Sequence, residues 1–226
     1  MKFLTSGCSF TGTQGPKGDS GWPAWLKMYG EIRNVAMPGA GNRYIADSII
    51  HELSHHEDYD CVLVMWSGLQ RIDFTVDKFF GEQICPLNEI IYYPCGDIIQ
   101  NKFVNLIKFG NEKSRAYHSL MEMIKLQSFL KYKKIPYYFM SYVDYWNNKD
   151  YIINRNFGIY KYEILTTLAK QLDFTNFIFY DDTKCLYEVA EMLSSFAGDN
   201  FHPGIEAFAF WMDKVVIPRL KKDKIC

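Results

Sequence analysis

Six consecutive residues, Cys61-Val62-Leu63-Val64-Met65-Trp66, are apolar with no polar alternation. A strand with one face in water alternates. A strand apolar on both faces must be covered on both, as in a parallel sheet between helical layers. This run therefore predicts an α/β chain. Residues 3–6, ending at Gly7, read as a first strand, 32–36 as a second, 136–142 as a fourth and 177–180 as a fifth. Helical segments separate them. Residues 22–29 carry Pro23 in the first turn and stop at Gly30. The turn Pro38-Gly39-Ala40-Gly41 leads to a helix over 43–55, with Asn42 placed to cap it. Residues 114–133 repeat Leu120, Met123, Ile124, Gln127 and Leu130 at helical spacing. Residues 160–172, 186–196 and 204–220 complete the helices. Right-handed crossovers then give a three-layer α/β/α sandwich with a five-stranded parallel sheet, in a single domain over 1–226. Residues 67–111 show no clear period and carry Gly81, Pro86, Pro94 and Gly96, so they read as a long insertion with short helical pieces. Residues 144–156 read as a polar and aromatic loop.

Charge narrows the partners. Lys+Arg number 25 and Asp+Glu 26, a formal net charge of −1. Such a surface has no basic field to attract nucleic acid or an anionic membrane. No apolar run is long enough to span a bilayer, and residues 1–7 lack the pattern of a secretory signal, so the expected location is cytoplasmic. The six cysteines contain no C-x-x-C pair and are expected reduced, with a Cys85–Cys95 pairing left open. The oligomeric state has no sequence signal. Aromatic residues reach 17 %, which suits a large core and supplies rings for a binding cleft.

Three features fall beyond expected strand ends. Ser9 follows the first strand, Gly39 follows the second, and Asp199-Asn200-Phe201-His202-Pro203 lies near the C-terminus. Open α/β sheets bind ligands outside the carboxyl ends of their strands, so these features converge on one crevice. A serine hydroxyl becomes a useful nucleophile once a base takes its proton. Imidazole does this near neutral pH, and a carboxylate fixes its tautomer. Ser9, His202 and Asp199 are therefore the candidate catalytic residues. Tyr142, Tyr145 and Trp146, past the fourth strand, are candidates for stacking on a sugar or aryl group. Arg71 is a candidate for an anionic substrate group.

The same segments carry a family resemblance. Gly7-Cys8-Ser9-Phe10-Thr11 resembles the first block of the SGNH, or GDSL-type, hydrolase superfamily, with Cys8 where Asp is usual. Asn34-Val35-Ala36-Met37-Pro38-Gly39 is similar to its second block, and Asp199-Asn200-Phe201-His202-Pro203 to its last. The resemblance implies a flavodoxin-like α/β/α fold, Ser9 as nucleophile, His202 as base and Asp199 as its orienting partner. It also implies the backbone N–H groups of Ser9 and Gly39 as oxyanion donors, and no cofactor. The expected activity is ester hydrolysis through an acyl-enzyme, possible substrates including O-acetyl groups on carbohydrate. The third block departs from the pattern: the place of Gly-x-Asn-Asp reads Trp66-Ser67-Gly68-Leu69-Gln70-Arg71. Ser67 or Asn42 would have to supply the missing donor. An acyltransferase or a non-catalytic glycan-binding relative is the alternative that this departure raises.

A second motif competes. His51-Glu52-Leu53-Ser54-His55 fits H-E-x-x-H, the pattern of a zinc hydrolase. On a helical wheel Ile45, Ala46, Ile49, Ile50 and Leu53 form one apolar face, and His51 and His55 point away from it. With no third ligand in sequence, a solvated helix face is the expectation, and no metal.

Overall fold

The computed structural model describes residues 1–12, 21–56, 58–76, 85–87, 90–94, 112–146, 159 and 162–226. Strand β1 (Lys2–Gly7), β2 (Glu31–Asn34), β3 (Cys61–Trp66) and a later strand, Tyr137–Ser141, form one parallel sheet. Its order is β2, β1, β3, then Tyr137–Ser141. The apolar run behaves as its composition demands, with all six residues of β3 buried between β1 and Tyr137–Ser141. β2 is an edge strand with exposed and half-buried positions in alternation.

Helix α1 (Asn42–His55) packs on β1 and β3, and Ser48 Oγ lies 2.8 Å from Ser6 Oγ across that interface. Helix α2 (Glu112–Lys133) packs on α1. The opposite face of Tyr137–Ser141 meets the C-terminal helix, where Tyr138 donates to Asp223 at 2.8 Å and Arg219 lies over its ring. That helix runs from Ile205 to Lys222 and widens to a π turn over Met212–Val216. Pro218 has no N–H for the carbonyl four residues back, and the wider turn before it relieves the ring clash. Shorter helices are Glu163–Ala169 and Leu186–Met192, and Trp22–Met28 is a 3₁₀ helix.

The sheet corrects the expected fifth strand. Phe177 makes a single parallel bridge to Phe139, with Ile178 N–H donating to the Phe139 carbonyl at 2.9 Å. The ladder stops there because Tyr180 spends both backbone groups on Lys184, across a turn in which Asp181 and Asp182 have positive φ. Within segment 67–111 the structure describes strands that the sequence reading did not anticipate, β4 (Asp73–Val76), β5 (Cys85–Leu87) and β6 (Ile90–Pro94), an antiparallel sheet in the order β4, β6, β5. Residues 77–84, 88–89 and 95–111, where short helical pieces are also expected, lie outside the described residues. Phe-Thr-Val and Ile-Ile-Tyr-Tyr are β-branched and aromatic, and that composition favours strands. Pro86 sits on an edge strand, where the missing N–H is tolerated.

Cys8, Cys61, Cys185 and Cys226 are free thiols. The Cys85–Cys95 question and most of the 144–156 loop lie outside what is described. No helix among the described residues is long and apolar enough to cross a membrane.

Candidate active site

The chain leaves β1 in a tight turn. The N–H groups of Thr11 and Gly12 donate to the Cys8 carbonyl at 2.9 and 2.7 Å, which leaves Ser9 half-buried at the apex. Gly7 permits the turn, since a Cβ there would lie 2.1 Å from Thr11 Oγ1 and 2.9 Å from the Met65 carbonyl oxygen. Cys8 is buried.

The C-terminal segment brings its residues to the same point. His202 Nε2 lies 2.8 Å from Ser9 Oγ, across 193 residues of sequence. His202 Nδ1 makes a short contact with Asp199 Oδ2. The other carboxylate oxygen of Asp199 accepts the N–H groups of Phe201 at 3.0 Å and His202 at 2.9 Å. These donors, first the His202 N–H, then that of Phe201, then the imidazole, hold the Asp199 carboxyl down at about 2. Asp199 is therefore ionised across the whole working range, and an anion facing Nδ1 favours the tautomer with its proton there. Nε2 is then left as an acceptor towards Ser9 Oγ–H. The ring is held sideways by Phe10 and Phe201, each with its centroid 5.2 Å away.

The turn bearing Gly39 is tied to the turn bearing Ser9. Met37 N–H donates to the Gly7 carbonyl at 3.1 Å, and Asn34 Nδ2 to the Thr11 carbonyl at 3.3 Å. Gly39 has φ 80°, a conformation that glycine adopts without strain. Asn42 neither caps α1 nor faces that turn. It is the first helical residue, its Oδ1 accepts Ser67 N–H at 2.8 Å, and its Nδ2 approaches the Ser67 and Gly68 carbonyls at 3.3 and 3.4 Å. Ser67 is fully buried, and its Oγ has no hydrogen-bond partner among the described residues.

The helix cap comes from a residue that sequence reasoning missed. Asp73, buried at the start of β4, accepts Gly41 N–H at 2.6 Å and Tyr44 N–H at 2.8 Å. Burial pushes its carboxyl up to about 6, against the pull of those two donors and of Arg71 and Arg43. Arg71 is itself buried, with Nη1 3.5 Å from the Ala40 carbonyl of the Gly39–Gly41 turn. A carboxylate inside an apolar β segment gives no hint in sequence of the helix end it will reach.

The rings past Tyr137–Ser141 also differ from expectation. Tyr142, Tyr145 and Trp146 are at most 4 % exposed. Tyr142 packs on Phe10 at 4.7 Å and so backs the His202 ring at one remove. Trp146 donates to Ser141 Oγ at 3.0 Å and lines a cavity of about 670 Å³ with Phe174 and Phe177. Neither Ser9 nor His202 is among the described residues lining that cavity.

On α1, Glu52 is buried and engaged. It accepts Tyr59 O–H at 2.6 Å and pairs with Arg33 at 3.4 Å, while His55 is exposed. No cluster of three or more His, Cys, Asp or Glu among the described residues is placed to hold a metal.

No protein-family model and no curated protein matches the chain. Among solved structures, the psychrotrophic esterase EstA from Pseudoalteromonas sp., in a form inhibited by monoethylphosphonate, is similar over 98 % of this chain and 97 % of its own. It has a TM-score of 0.55 and 12 % sequence identity. An acetylxylan esterase from Geobacillus stearothermophilus aligns over 92 % of this chain and 89 % of its own, with a TM-score of 0.48 and 16 % identity. The likeness to EstA is one of fold, a parallel sheet flanked by helices.

Proposed function

We propose, from the premise that this fold is shared with an esterase, that the protein is a serine ester hydrolase. Ser9 is the nucleophile, His202 the base and Asp199 the group that orients it. The observation that carries this reading is the unbroken contact series from Ser9 Oγ through both imidazole nitrogens to an ionised carboxylate. Ser9 Oγ attacks the ester carbonyl as its proton passes to His202 Nε2. The carbonyl oxygen becomes an anion, received by the backbone N–H groups of Ser9 and Gly39. His202 then gives its proton to the departing alkoxide, and an acyl-Ser9 ester remains. Water attacks that ester with His202 again as base, and the acid leaves.

Of the two candidates for a third oxyanion donor, Ser67 is the better supported. The Asn42 amide is turned to two carbonyls, whereas the Ser67 hydroxyl is buried and unengaged. We read Asn42 as the clamp that sets the Ser67–Gly68 backbone. The carbohydrate O-acetyl reading rests on the family resemblance and on rings expected beside the cleft, and the second support is absent because Tyr142 and Trp146 are in the core. We take residues 1–226 as a single unit with 67–111 inserted, because the nucleophile and its base come from opposite ends of the chain.

Asp199→Asn tests the orienting role. The amide oxygen stays with the two N–H donors, so the NH₂ faces His202 Nδ1 and forces the proton to Nε2. His202 then cannot accept from Ser9. The expected result is a fall in kcat of about a hundredfold or more, with KM nearly unchanged. Wild-type kcat in this variant removes Asp199 from the mechanism.

A further inference from the structure

A groove of about 650 Å³ opens directly on Ser9 and His202. One wall is the 3₁₀ helix Trp22–Met28, which contributes Ala24, Trp25 and Met28. The opposite wall contributes Phe196, Ile205 and Phe208. Trp25 and Phe208 face each other with centroids 6.4 Å apart. At the rim, Met28 and Ile205 are 74 % and 75 % exposed. Both walls are anchored to the reacting residues. Trp22 Nε1 donates to Thr11 Oγ1 at 3.1 Å in the Ser9 turn, and Ala197 N–H donates to the His202 carbonyl at 2.7 Å.

Two features of this groove specify its occupant. Among the described residues that line it, none has a side chain with a fixed charge. Apart from Ser9 and His202, only the Trp25 indole among these described residues offers a side-chain hydrogen bond. A sugar would find few side-chain partners for its hydroxyls there, while an alkyl or aryl group would gain by leaving water. The second feature is the side on which it lies. Gly39, Asn42 and Ser67 are not among its described lining residues, whereas His202, Pro203 and Gly204 are. The leaving oxygen must lie within reach of His202 Nε2, from which it takes its proton, and the carbonyl oxygen points to the Gly39 turn. A groove on the imidazole side therefore receives the alcohol half of the ester.

We infer that the groove binds an apolar alcohol moiety, so that the preferred substrates are esters of hydrophobic alcohols. This rests on the ester-hydrolase reading and assigns specificity to its leaving-group side. The test measures kcat/KM for ethyl, butyl and hexyl acetate, whose alkoxides are alike in basicity, and for ethyl hexanoate and 6-O-acetylglucose, a primary-alcohol acetate whose other hydroxyls are free. Each buried methylene favours binding about fourfold, so hexyl acetate is expected to exceed ethyl acetate by at least about tenfold. Ethyl hexanoate should gain nothing over ethyl acetate. Ala24→Phe fills the groove and should lower the hexyl-to-ethyl ratio about tenfold. Met28→Ala, which trims an exposed side chain without touching the core, should lower it about twofold. A gain that follows the acyl chain, a flat alcohol series, or a preference for the sugar ester overturns the inference and leaves the ester-hydrolase reading standing. No cleavage of any of these esters overturns both.

Discussion

Ser9→Ala is expected to lower kcat for any ester the protein hydrolyses by about 10⁴- to 10⁶-fold. The magnitude follows from the chemistry. Without Oγ there is no covalent acyl-enzyme, and the remaining route is direct attack by water, assisted only by binding and by the oxyanion donors. KM should change little, because Oγ contributes far more to the transition state than to the bound ester. Circular dichroism and thermal melts should be those of the wild type, since Ser9 sits at the apex of a turn whose hydrogen bonds come from the backbone of Cys8, Thr11 and Gly12. Activity within tenfold of wild type would place the chemistry elsewhere.

Gly7→Ala is expected to damage both fold and activity. Gly7 pairs with Met65 at the end of β1, and its φ is not positive, so backbone conformation does not forbid alanine. Space does. The new methyl would meet Thr11 Oγ1 at 2.1 Å, Thr11 Cβ at 2.7 Å and the Met65 carbonyl oxygen at 2.9 Å. Rotating Thr11 would break its bond from Trp22 and still leave two contacts with atoms fixed by the backbone. Overpacking of this kind costs about 3 kcal/mol, which in a chain of this length lowers Tm by about 6–12 °C. Ser9 lies two residues further on, and a displacement of about 1 Å costs about a hundredfold in rate. Gly198→Ala is the matched control, in the segment leading to Asp199. A Cβ there meets nothing within 4 Å, so Tm and kcat should hold. If Gly7→Ala melts and turns over like the wild type, the Ser9 turn is not constrained as described.

The parallel sheet was legible in Cys61–Trp66 because burial on both faces leaves a composition that no other element of that length requires. That Ser9, Asp199 and His202 meet was legible for a different reason. Their local spacing matches the chemistry, and strand ends bring distant loops together. What stayed hidden depended on tertiary return. Whether the chain beyond Ser141 turns outward to a substrate or back into the core is not written in Tyr142, Tyr145 or Trp146, whose types suit both. Asp73 looks like an unremarkable strand residue until β4 carries it to the N-terminus of α1, where it accepts the N–H of Tyr44, 29 residues before it in the chain and beyond the reach of local capping rules. The fifth strand failed on a local matter: Tyr180 bonds to Lys184 and withdraws from the ladder. The groove wall Trp22–Met28 was visible only as a short helix. Its role follows from Trp22 reaching Thr11.

The central claim is that Ser9 is a nucleophile activated by His202 and Asp199. The most direct measurement is reaction of the folded protein with a fluorophosphonate, followed by intact mass and peptide mapping. One adduct per chain is expected, on Ser9, absent in Ser9→Ala and formed far more slowly in His202→Ala. An unlabelled protein that still hydrolyses esters, or an adduct on another residue, would contradict the account.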